Sequence, residues 1–383
     1  MRSRYAQSHA LNCDGMNLKD LDATHNPALR DIIAQRIEGF GPISFAEFFE
    51  TAMYHPRHGY YFTQDPTRDF QSSPNVHPVF GACLARQMAD FWRRLDRPQR
   101  FDVFEAGAGS GRLVADLLRH AAAVEPDFYS CVRYVVQDVT LGSTKGRRRI
   151  EEADLPAGKF AVAAALPEAQ AIEGCILSNE LLDALPFRRV RMREGHLYEL
   201  LVGLEDGAFV DVEAEPRPEI TAHFQALGVW PGEGCDAEVC LAAPAWMAHA
   251  ARALRRGYVL TLDYGYEATE LYAPWRKQGT LLTFYRHTSG DDPYARIGRQ
   301  DITASVDFTS VRRAGEATGL TTLDSRPQSE FLAGLGVGEA LASPPEAGQL
   351  EAYYALRRAV MELTDPAGLG RIRVLVMGKD VQG

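Results

Sequence analysis

The sequence predicts an α/β fold in which a largely parallel sheet follows a group of helices and is interrupted by insertions. An apolar run at 101–105 leads into a glycine turn at 107–111 and then into a helical repeat of leucine and valine, which forms a strand–turn–helix unit. Short apolar or β-branched runs recur along the chain, with helical stretches between many of them. Six further strands are predicted, at 133–137, 160–165, 175–178, 258–262, 320–323 and 372–377. Alternation of this kind is typical of a parallel sheet.

Composition and charge exclude several classes of protein. The 383 residues carry a net charge of −10, with 46% hydrophobic and 24% charged residues, which is typical of a globular chain. We expect no nucleic-acid partner, because such proteins usually present a basic surface. No apolar run approaches the roughly 20 residues of a membrane span, and residues 1–12 are too short and too polar for a secretory signal. One large core with insertions and two domains both remain open at this length.

The six cysteines are scattered and form no C-x-x-C pair, so they predict reduced thiols and a cytoplasmic compartment. His55 and His58 lie in a turn, where Pro56 between them prevents a helical pair of metal ligands. We therefore expect no metal site. No internal repeat is present.

The N-terminal part predicts a flexible arm at 1–25 and a helical cap at 26–98. Three helices are expected in the cap, at 26–38, 45–54 and 78–95. Asn26 followed by proline is a helix start, and Gly39 is the predicted stop. Ser44-Phe45-Ala46-Glu47 has the sequence of a capping box.

Downstream of the cap, the pattern divides the chain into core and insertions. The predicted segments are a first half of the core at 99–186, an antiparallel β insertion with loops at 187–240, a second half at 241–324 with a substrate-side loop at 266–306, a helical insertion at 325–370, and a final strand and tail at 371–383. Asp307 is expected to cap a helix that Gly319 ends, and 331–363 is expected to be helical.

The glycine turn carries the first indication of a ligand. Gly107, Gly109 and Gly111 follow Glu105 in the pattern acidic-x-G-x-G-x-G, whereas a dinucleotide fingerprint would need glycine in place of Arg112. The pattern is similar to the S-adenosylmethionine (SAM) loop of class I methyltransferases. Glycines allow close approach of backbone to ligand, and the helix N-terminus favours the ligand's carboxylate. Glu105 could take its ammonium group. An ordinary strand-to-helix turn is the alternative interpretation.

Two further strands bring polar residues to the same edge of the sheet. The second strand ends at Asp138, where an acid can accept both hydroxyls of a bound ribose or, equally well, cap a helix. The fourth strand, 175–178, leads into the polar stretch 179–183. Because the carboxyl ends of parallel strands meet at one edge, we expect 107–111, Asp138 and 179–183 to converge on one site.

At this point the motifs resemble the MidA/NDUFAF7 family of SAM-dependent methyltransferases, formerly a domain of unknown function 185. The likeness covers roughly residues 30–378. The motifs that carry it are, in order, Gly41-Pro42-Ile43-Ser44-Phe45-Ala46-Glu47-Phe48, Tyr54-His55-Pro56, Gly59-Tyr60-Tyr61, Glu105 to Leu113, Ser178-Asn179-Glu180-Leu181-Leu182-Asp183-Ala184-Leu185-Pro186, Asp263-Tyr264-Gly265, Gly279-Thr280-Leu281, Asp301-Ile302-Thr303-Ala304 and Val306-Asp307-Phe308.

The resemblance implies a Rossmann-like class I methyltransferase sheet, SAM as cofactor and an arginine of a protein as methyl acceptor. It also implies the mitochondrial matrix if the source is eukaryotic, and a homodimer is conceivable. The chain departs from the family pattern at two places. Residues 68–75 lack the glycine and the acid of the usual Gly-Asp-Phe-x-Thr-Ser-Pro-Glu, and Ser305 stands where relatives often have histidine. Both segments are expected on the substrate side.

A guanidinium acceptor needs a carboxylate to hold and orient its nitrogen, because its pKa lies above about 12. Glu180 is the candidate, with Asn179 nearby and Asp183 in support of Glu180 or of the substrate. The alternative is that 179–182 only caps the following helix. Rival functions are a small-molecule O- or N-methyltransferase, a nicotinamide dehydrogenase, and an assembly factor that binds SAM without catalysis. A nucleic-acid amino-methylating enzyme would show Asn/Asp-Pro-Pro-aromatic after the fourth strand, which this chain lacks.

Overall fold

A computed structural model describes residues 25–143, 146, 148, 155–156, 158–342 and 348–381, so the predicted arm lies outside the described residues except for His25. The strands, in chain order, are β1 (Ile43–Ser44), β2 (Phe101–Ala106), β3 (Val132–Gln137), β4 (Phe160–Val162), β5 (Ile172–Asn179), β6 (Arg188–Arg193), β7 (His196–Glu205), β8 (Ala208–Ala214), β9 (Asp236–Val239), β10 (Leu254–Asp263), β11 (Gly265–Tyr266), β12 (Leu282–Tyr285), β13 (Thr288–Gly290), β14 (Asp301–Thr303), β15 (Val306–Asp307), β16 (Thr321–Pro327) and β17 (Arg373–Lys379).

The helices of the described residues are α1 (Pro27–Phe40), α2 (Phe45–Tyr54), α3 (Tyr60–Thr63), α4 (Ser73–Val76), α5 (Val79–Arg94), α6 (Arg112–Val124), α7 (Pro126–Cys131), α8 (Pro218–Leu227), α9 (Ala242–Ala253), α10 (Ala268–Leu271), α11 (Phe308–Ala317), α12 (Gln328–Gly334) and α13 (Leu350–Thr364). Short 3-10 turns occupy Pro66–Arg68, Val139–Gly142, Glu339–Leu341 and Leu369–Arg371.

The central sheet has seven strands in the order β16-β17-β10-β5-β2-β3-β4. β10, β5, β2, β3 and β4 are parallel, whereas β17 runs antiparallel to both of its neighbours. The seven predicted strands are confirmed, with the third shortened to Phe160–Val162. Chain order reverses at β2, which lies between β3 and β5, and this is where an open α/β sheet forms its ligand crevice.

Helices cover both faces of this sheet. Helices α5, α6 and α7 pack on one face with the buried ends of α12 and α13, and α9 and α11 pack on the other. The ring of Phe91 in α5 stacks 3.8 Å from the ring of Tyr258 in β10. Helix α5 therefore belongs to the layer that covers the sheet, although its sequence position predicted it as part of a cap that precedes the core.

The insertion at 187–240 forms a second, antiparallel sheet, as its alternating pattern predicted. Strands β6, β7, β8 and β9 are joined by β1 from the N-terminal region, where Ile43 pairs with Val202. Helix α8 packs on this sheet through Ile220 and Phe224, and no helix was predicted in this insertion. The missed helix has both end signals, with Pro218 in its first turn and the left-handed Gly228 just beyond its end.

The predicted helix boundaries hold in most places and differ in two. Asp307 caps α11, and the capping box is confirmed because Glu47 N donates to Ser44 Oγ over 3.2 Å. The stop of the first helix at Gly39 is wrong. That helix continues to Phe40 and ends at Gly41, whose φ of +83° only glycine adopts readily. The helix predicted over 331–363 is divided into α12 and α13, and 343–347 lie outside the described residues.

Three negative findings apply to the described residues alone. None of the helices there is long and apolar enough to cross a membrane. No group of three or more His, Cys, Asp or Glu residues in that part of the chain is arranged to hold a metal ion, and the rings of His55 and His58 stack 5.2 Å apart. The cysteines described, Cys83, Cys131, Cys175, Cys235 and Cys240, are free thiols.

Candidate active site

A cavity of about 530 Å³ opens at the carboxyl ends of β2, β3 and β5. Five of the six predicted cofactor residues line it, namely Glu105, Gly107, Gly109, Asp138 and Asn179. Gly111 is not among the lining residues. It begins helix α6 in a left-handed conformation with φ of +74°, so its role in the structure is to turn the chain into the helix.

The glycine loop is fixed to the neighbouring strand by its own backbone. The amides of Gly107 and Ala108 donate to the carbonyl of Gln137 over 2.8 and 3.1 Å. Gly107 and Gly109 have φ of +75° and +53°, values that residues with a side chain rarely adopt. A Cβ on Gly107 would lie 2.9 Å from Cδ1 of Leu181, whereas one on Gly109 would have no neighbour closer than 4.0 Å. The loop thus presents bare backbone to the cavity.

Asp138 caps the 3-10 turn Val139–Gly142, as one of its two interpretations predicted. Its Oδ1 accepts from the amide of Thr140 over 2.8 Å, and its Oδ2 accepts from the amide of Gly109 over 3.0 Å. The carboxylate therefore joins the end of β3 to the glycine loop while it lines the cavity. Contact of Asp138 with a ribose stays a prediction.

Glu105 and Asn179 form a polar end of the same cavity. Glu105 is buried and accepts a hydrogen bond of 2.9 Å from the hydroxyl of Tyr134. Burial and, to a smaller extent, the nearby charge of Asp138 raise the pKa of Glu105 to about 8, although the hydrogen bond from Tyr134 opposes this shift. Oδ1 of Asn179 is buried and has no hydrogen-bond partner among the described residues. An unpaired acceptor beside a buried carboxyl suits a ligand that brings an ammonium group, as SAM does.

Glu180 occupies a strained position at the end of β5. Its φ of +50° is uncommon for a residue with a side chain and costs about 1–3 kcal/mol. Oε1 accepts from the amide of Ser73 over 3.1 Å and from Nδ2 of Asn179 over 3.0 Å. Strain of this kind persists only where the surroundings fix the backbone, and it concentrates at functional sites.

A second cavity of about 360 Å³ adjoins the first. Four residues line both cavities, Tyr61, Phe70, Glu180 and Ala184. Of the described residues that line the second cavity, four are carboxylic acids, Asp69, Glu180, Asp183 and Asp301, and Arg371 is the sole arginine or lysine. We call the first the cofactor cavity and the second the acceptor cavity.

Three acids of the acceptor cavity, Glu180, Asp183 and Asp301, have raised pKa values. Burial and the charge of Asp183 raise the pKa of Glu180 to about 8, and the same causes raise the pKa of Asp301 to about 7. The pKa of Asp183 itself is raised to about 6, mainly by burial. Ionised carboxylates this close repel one another, which favours their protonated forms. A cation bound in the cavity would offset this repulsion, and the acids would release protons as it binds.

Asp183 is supported by a second, fully buried acid. Asp263, at the end of β10, forms a hydrogen bond with the carboxyl of Asp183, and its pKa is raised by burial and by Asp183. Oδ2 of Asp263 also accepts from the amides of Leu181 and Leu182 over 3.1 and 2.7 Å. This carboxyl thereby fixes the turn that directly follows Glu180.

Residues 65–75, which we call the roof, contribute to both cavities and contain one of the two departures from the family pattern, that at 68–75. Asp69 is buried at its centre, where it accepts from the hydroxyl of Tyr60 over 2.8 Å and from the amide of Arg286 over 2.7 Å. Asn75, where the family has an acid, lines the cofactor cavity, and Ser305 lines the acceptor cavity. The roof was expected on the substrate side, and its residues line the cofactor cavity as well as the acceptor cavity.

The structure brings the three predicted catalytic residues together and adds others. Asn179 lines the cofactor cavity, Asp183 the acceptor cavity and Glu180 both. The sequence analysis did not single out Asp263 or Asp301 as site residues. Asp263 ends a parallel strand, so its position at the same edge of the sheet was the available signal. Asp301 lies on the short strand β14, and its place in the motif Asp301-Ile302-Thr303-Ala304 of the family resemblance was the available signal.

The strand order, the antiparallel β17 and the glycine loop at the carboxyl edge together define a class I SAM-dependent methyltransferase. Comparison with known proteins agrees. The model of a family described as "Putative S-adenosyl-L-methionine-dependent methyltransferase" matches residues 83–325. The chain belongs to this family, the MidA/NDUFAF7 family of SAM-dependent methyltransferases.

Two relatives and one solved structure illustrate the similarity. The Drosophila melanogaster protein arginine methyltransferase NDUFAF7 homolog, mitochondrial, is 26% identical over 89% of this chain and 83% of its own. The Homo sapiens protein arginine methyltransferase NDUFAF7, mitochondrial, is 25% identical over 81% and 74%. A crystal structure of a Burkholderia thailandensis protein, described as a "likely methyl transferase" and bound to S-adenosyl-homocysteine, has a TM-score of 0.84 at 31% identity, with 95% of both chains covered.

Proposed function

We propose that this methyltransferase transfers a methyl group to a guanidino nitrogen of an arginine in a protein substrate. The observation that carries the proposal is the position of Glu180, whose carboxyl group lies where the cofactor cavity and the acceptor cavity meet. The acidic lining of the acceptor cavity supports a cationic acceptor. The names of the relatives, which are protein arginine methyltransferases, agree with this choice.

The cofactor cavity has a donor and acceptor set that fits SAM. Glu105 and the unpaired oxygen of Asn179 would take its ammonium group, and Asp138 would accept from its ribose hydroxyls. The bare backbone at Gly107 and Gly109 leaves room for close contact. When bound, SAM supplies a methyl group that its sulfonium already activates.

The residues of the acceptor cavity then need to position the guanidinium and to accept the proton that it loses. Glu180 would hold a guanidinium through two parallel hydrogen bonds, turn one nitrogen toward the cofactor cavity and receive the proton that this nitrogen loses. Asp183 and Asp301 would add negative charge once they ionise, which stabilises the bound cation. Tyr61 donates to Oδ1 of Asp301 over 3.2 Å and thereby fixes one of these acids at the border of the two cavities.

Incubation of the protein with methyl-labelled SAM and a cell extract tests the proposal. Label should enter protein, and acid hydrolysis of that protein should release labelled methylarginine. The Glu180→Gln variant serves as the negative control, because it keeps the shape of the side chain and loses its charge. Label found in small molecules alone, or in lysine, would contradict an arginine acceptor. Failure of any label transfer, with SAM still bound, would point to an assembly factor without catalysis.

A further inference from the structure

Gln328 is a fully buried polar residue that lies outside both cavities and uses its whole amide group. It is the first residue of helix α12 and has no exposed surface. Its Nε2 donates to the carbonyls of Leu363 and Leu369 over 3.1 and 3.2 Å, and its Oε1 accepts from the hydroxyl of Ser73 over 3.1 Å. A buried group that is satisfied in this way fixes its partners in place.

One of these bonds leads directly to the candidate catalytic carboxylate. Ser73, which is also fully buried, donates its backbone amide to Oε1 of Glu180 over 3.1 Å. Its hydroxyl is the group held by Gln328. The chain of hydrogen bonds from Gln328 to Ser73 to Glu180 thus joins residues that are far apart in the sequence.

The amide nitrogen of Gln328 leads to another part of the acceptor cavity. Leu369 and Arg371, both in the short 3-10 turn Leu369–Arg371, line that cavity. Because the carbonyl of Leu369 accepts from Gln328, the same amide group holds this turn and the Ser73 end of the roof. Gln328 therefore connects the roof to a turn that lines the acceptor cavity.

We propose that Gln328 is a positioning residue for methyl transfer, which sets the orientation of Glu180 through Ser73 and holds, through Leu369, a turn that lines the acceptor cavity. The inference rests on the proposed role of Glu180. Glutamate cannot replace the amide, since an oxygen in place of Nε2 would face two carbonyl oxygens. Methionine has a similar length and provides neither the donor nor the acceptor.

The sharpest test is Ser73→Ala, because this variant keeps the backbone amide that contacts Glu180 and removes only the hydroxyl held by Gln328. The initial rate of label transfer into extract protein should fall about 10-fold, in line with the sensitivity of catalysis to small displacements. The Kd for SAM should change less than about 2-fold. Because the amide hydrogen bond favours the ionised form of Glu180, loosening it should move the acidic limb of the rate profile to higher pH.

Gln328→Met should reproduce these effects, and the double variant should be no slower than the slower single one. Such non-additivity identifies residues that act through one connection. Leu332→Ala is the matched control, because Leu332 is fully buried in the same helix and has no bond to Ser73. It should lower the melting temperature and leave the pH profile unchanged. Additive rate effects, or a profile that moves equally in Leu332→Ala, would overturn the proposal.

A second measurement needs no methyl acceptor. Carbon NMR of protein labelled with 13C-glutamate, with the Glu180 signal assigned by its loss in Glu180→Gln, reports the titration midpoint of this carboxyl. The midpoint should rise in Ser73→Ala and in Gln328→Met, and an unchanged midpoint would exclude the connection. Full activity of Glu180→Gln would instead refute the proposed function. An inactive Glu180→Gln beside unaltered Ser73→Ala and Gln328→Met would refute the positioning role alone.

Discussion

The two cavities that meet at Glu180 are built in different ways. The cofactor cavity lies at the ends of three neighbouring parallel strands, beneath part of the roof, and the backbone of Gly107 and Gly109 lines it. The acceptor cavity is made from the roof, from strand β14 and from the turn at 369–371, and its chemistry comes from carboxylic acids with raised pKa. The first therefore depends on close backbone approach and the second on charge. Substitutions should separate them, with Glu180 as the acid among the four residues that line both.

The largest effect is expected for Glu180→Gln. Loss of the carboxylate removes both the partner of the guanidinium and the proton acceptor, so turnover should fall by about 10³-fold. The Kd for SAM, measured by calorimetry, should stay within about 3-fold, because the amide keeps its shape at the edge of the cofactor cavity. Glu351→Gln, an exposed substitution on α13, is the matched control. Turnover near the wild-type rate in Glu180→Gln would show that the two cavities meet at a residue without catalytic function.

Gly107→Val should damage the cofactor cavity alone. Its φ of +75° disfavours a β-branched side chain, and the added atoms would contact Leu181, so SAM should bind about 50-fold more weakly. Gly228→Ala controls for the strain, since Gly228 has φ of +70° with no neighbour within 4 Å and ends α8 away from both cavities. That variant should lose stability and keep SAM affinity. Equal loss of SAM binding in both variants would argue against a backbone contact at Gly107.

Asp301→Asn should damage the acceptor cavity alone. The KM for the protein acceptor should rise about 10-fold at pH 8 while the Kd for SAM is unchanged, since one buried charge that faces the cation is removed. In the wild type, Asp183 and Asp301 have pKa values raised to about 6 and about 7, so they ionise as the pH rises. The wild-type KM should therefore fall between about pH 6 and pH 8. A KM that is independent of pH would contradict a charge-based acceptor cavity.

The smallest effect concerns the stability of the unliganded protein. The pKa of Glu180 is raised to about 8 in the folded state, above its value of about 4.3 in an unfolded chain. The folded state therefore binds more protons in this window, and its stability falls as the pH rises from about 4.5 to about 8. Glu180→Gln removes this loss of stability. The melting temperature of the variant minus that of the wild type should therefore be about 2 °C higher at pH 8.5 than at pH 5. Scanning calorimetry at both pH values gives the answer, and a pH-independent difference would show that Glu180 ionises normally.

The two cavities also differ in how well they could be predicted from the sequence. The cofactor cavity follows from local patterns, because a glycine turn after a strand and an acid after the next strand must reach one edge of a parallel sheet. Gly107, Gly109 and Asp138 were predicted on that ground, and they do line one cavity. The same pattern assigned Gly111 to the ligand, and this stays a prediction, because the structure shows only that Gly111 begins helix α6.

The acceptor cavity could be predicted only in part. Glu180 and Asp183 follow strand β5 directly, but Asp69 and Asp301 reach the cavity through loops whose paths depend on contacts between distant segments. The buried amide of Gln328 gave no signal at all, since a glutamine before a helical stretch reads as an ordinary surface residue. Helix α8 was missed for another reason, because alternating strands on either side of it favoured a β interpretation of the whole insertion.

The left-handed backbone at Glu180 has a consequence for selection experiments. Glycine and asparagine adopt such a conformation more easily than glutamate, so either would relax the main chain at this position. A library of variants selected for thermal stability alone should accumulate glycine and asparagine at position 180. Those variants should lose methyltransferase activity. The frequency of glutamate at this site would then measure how strongly the chemistry, and not the fold, is being maintained.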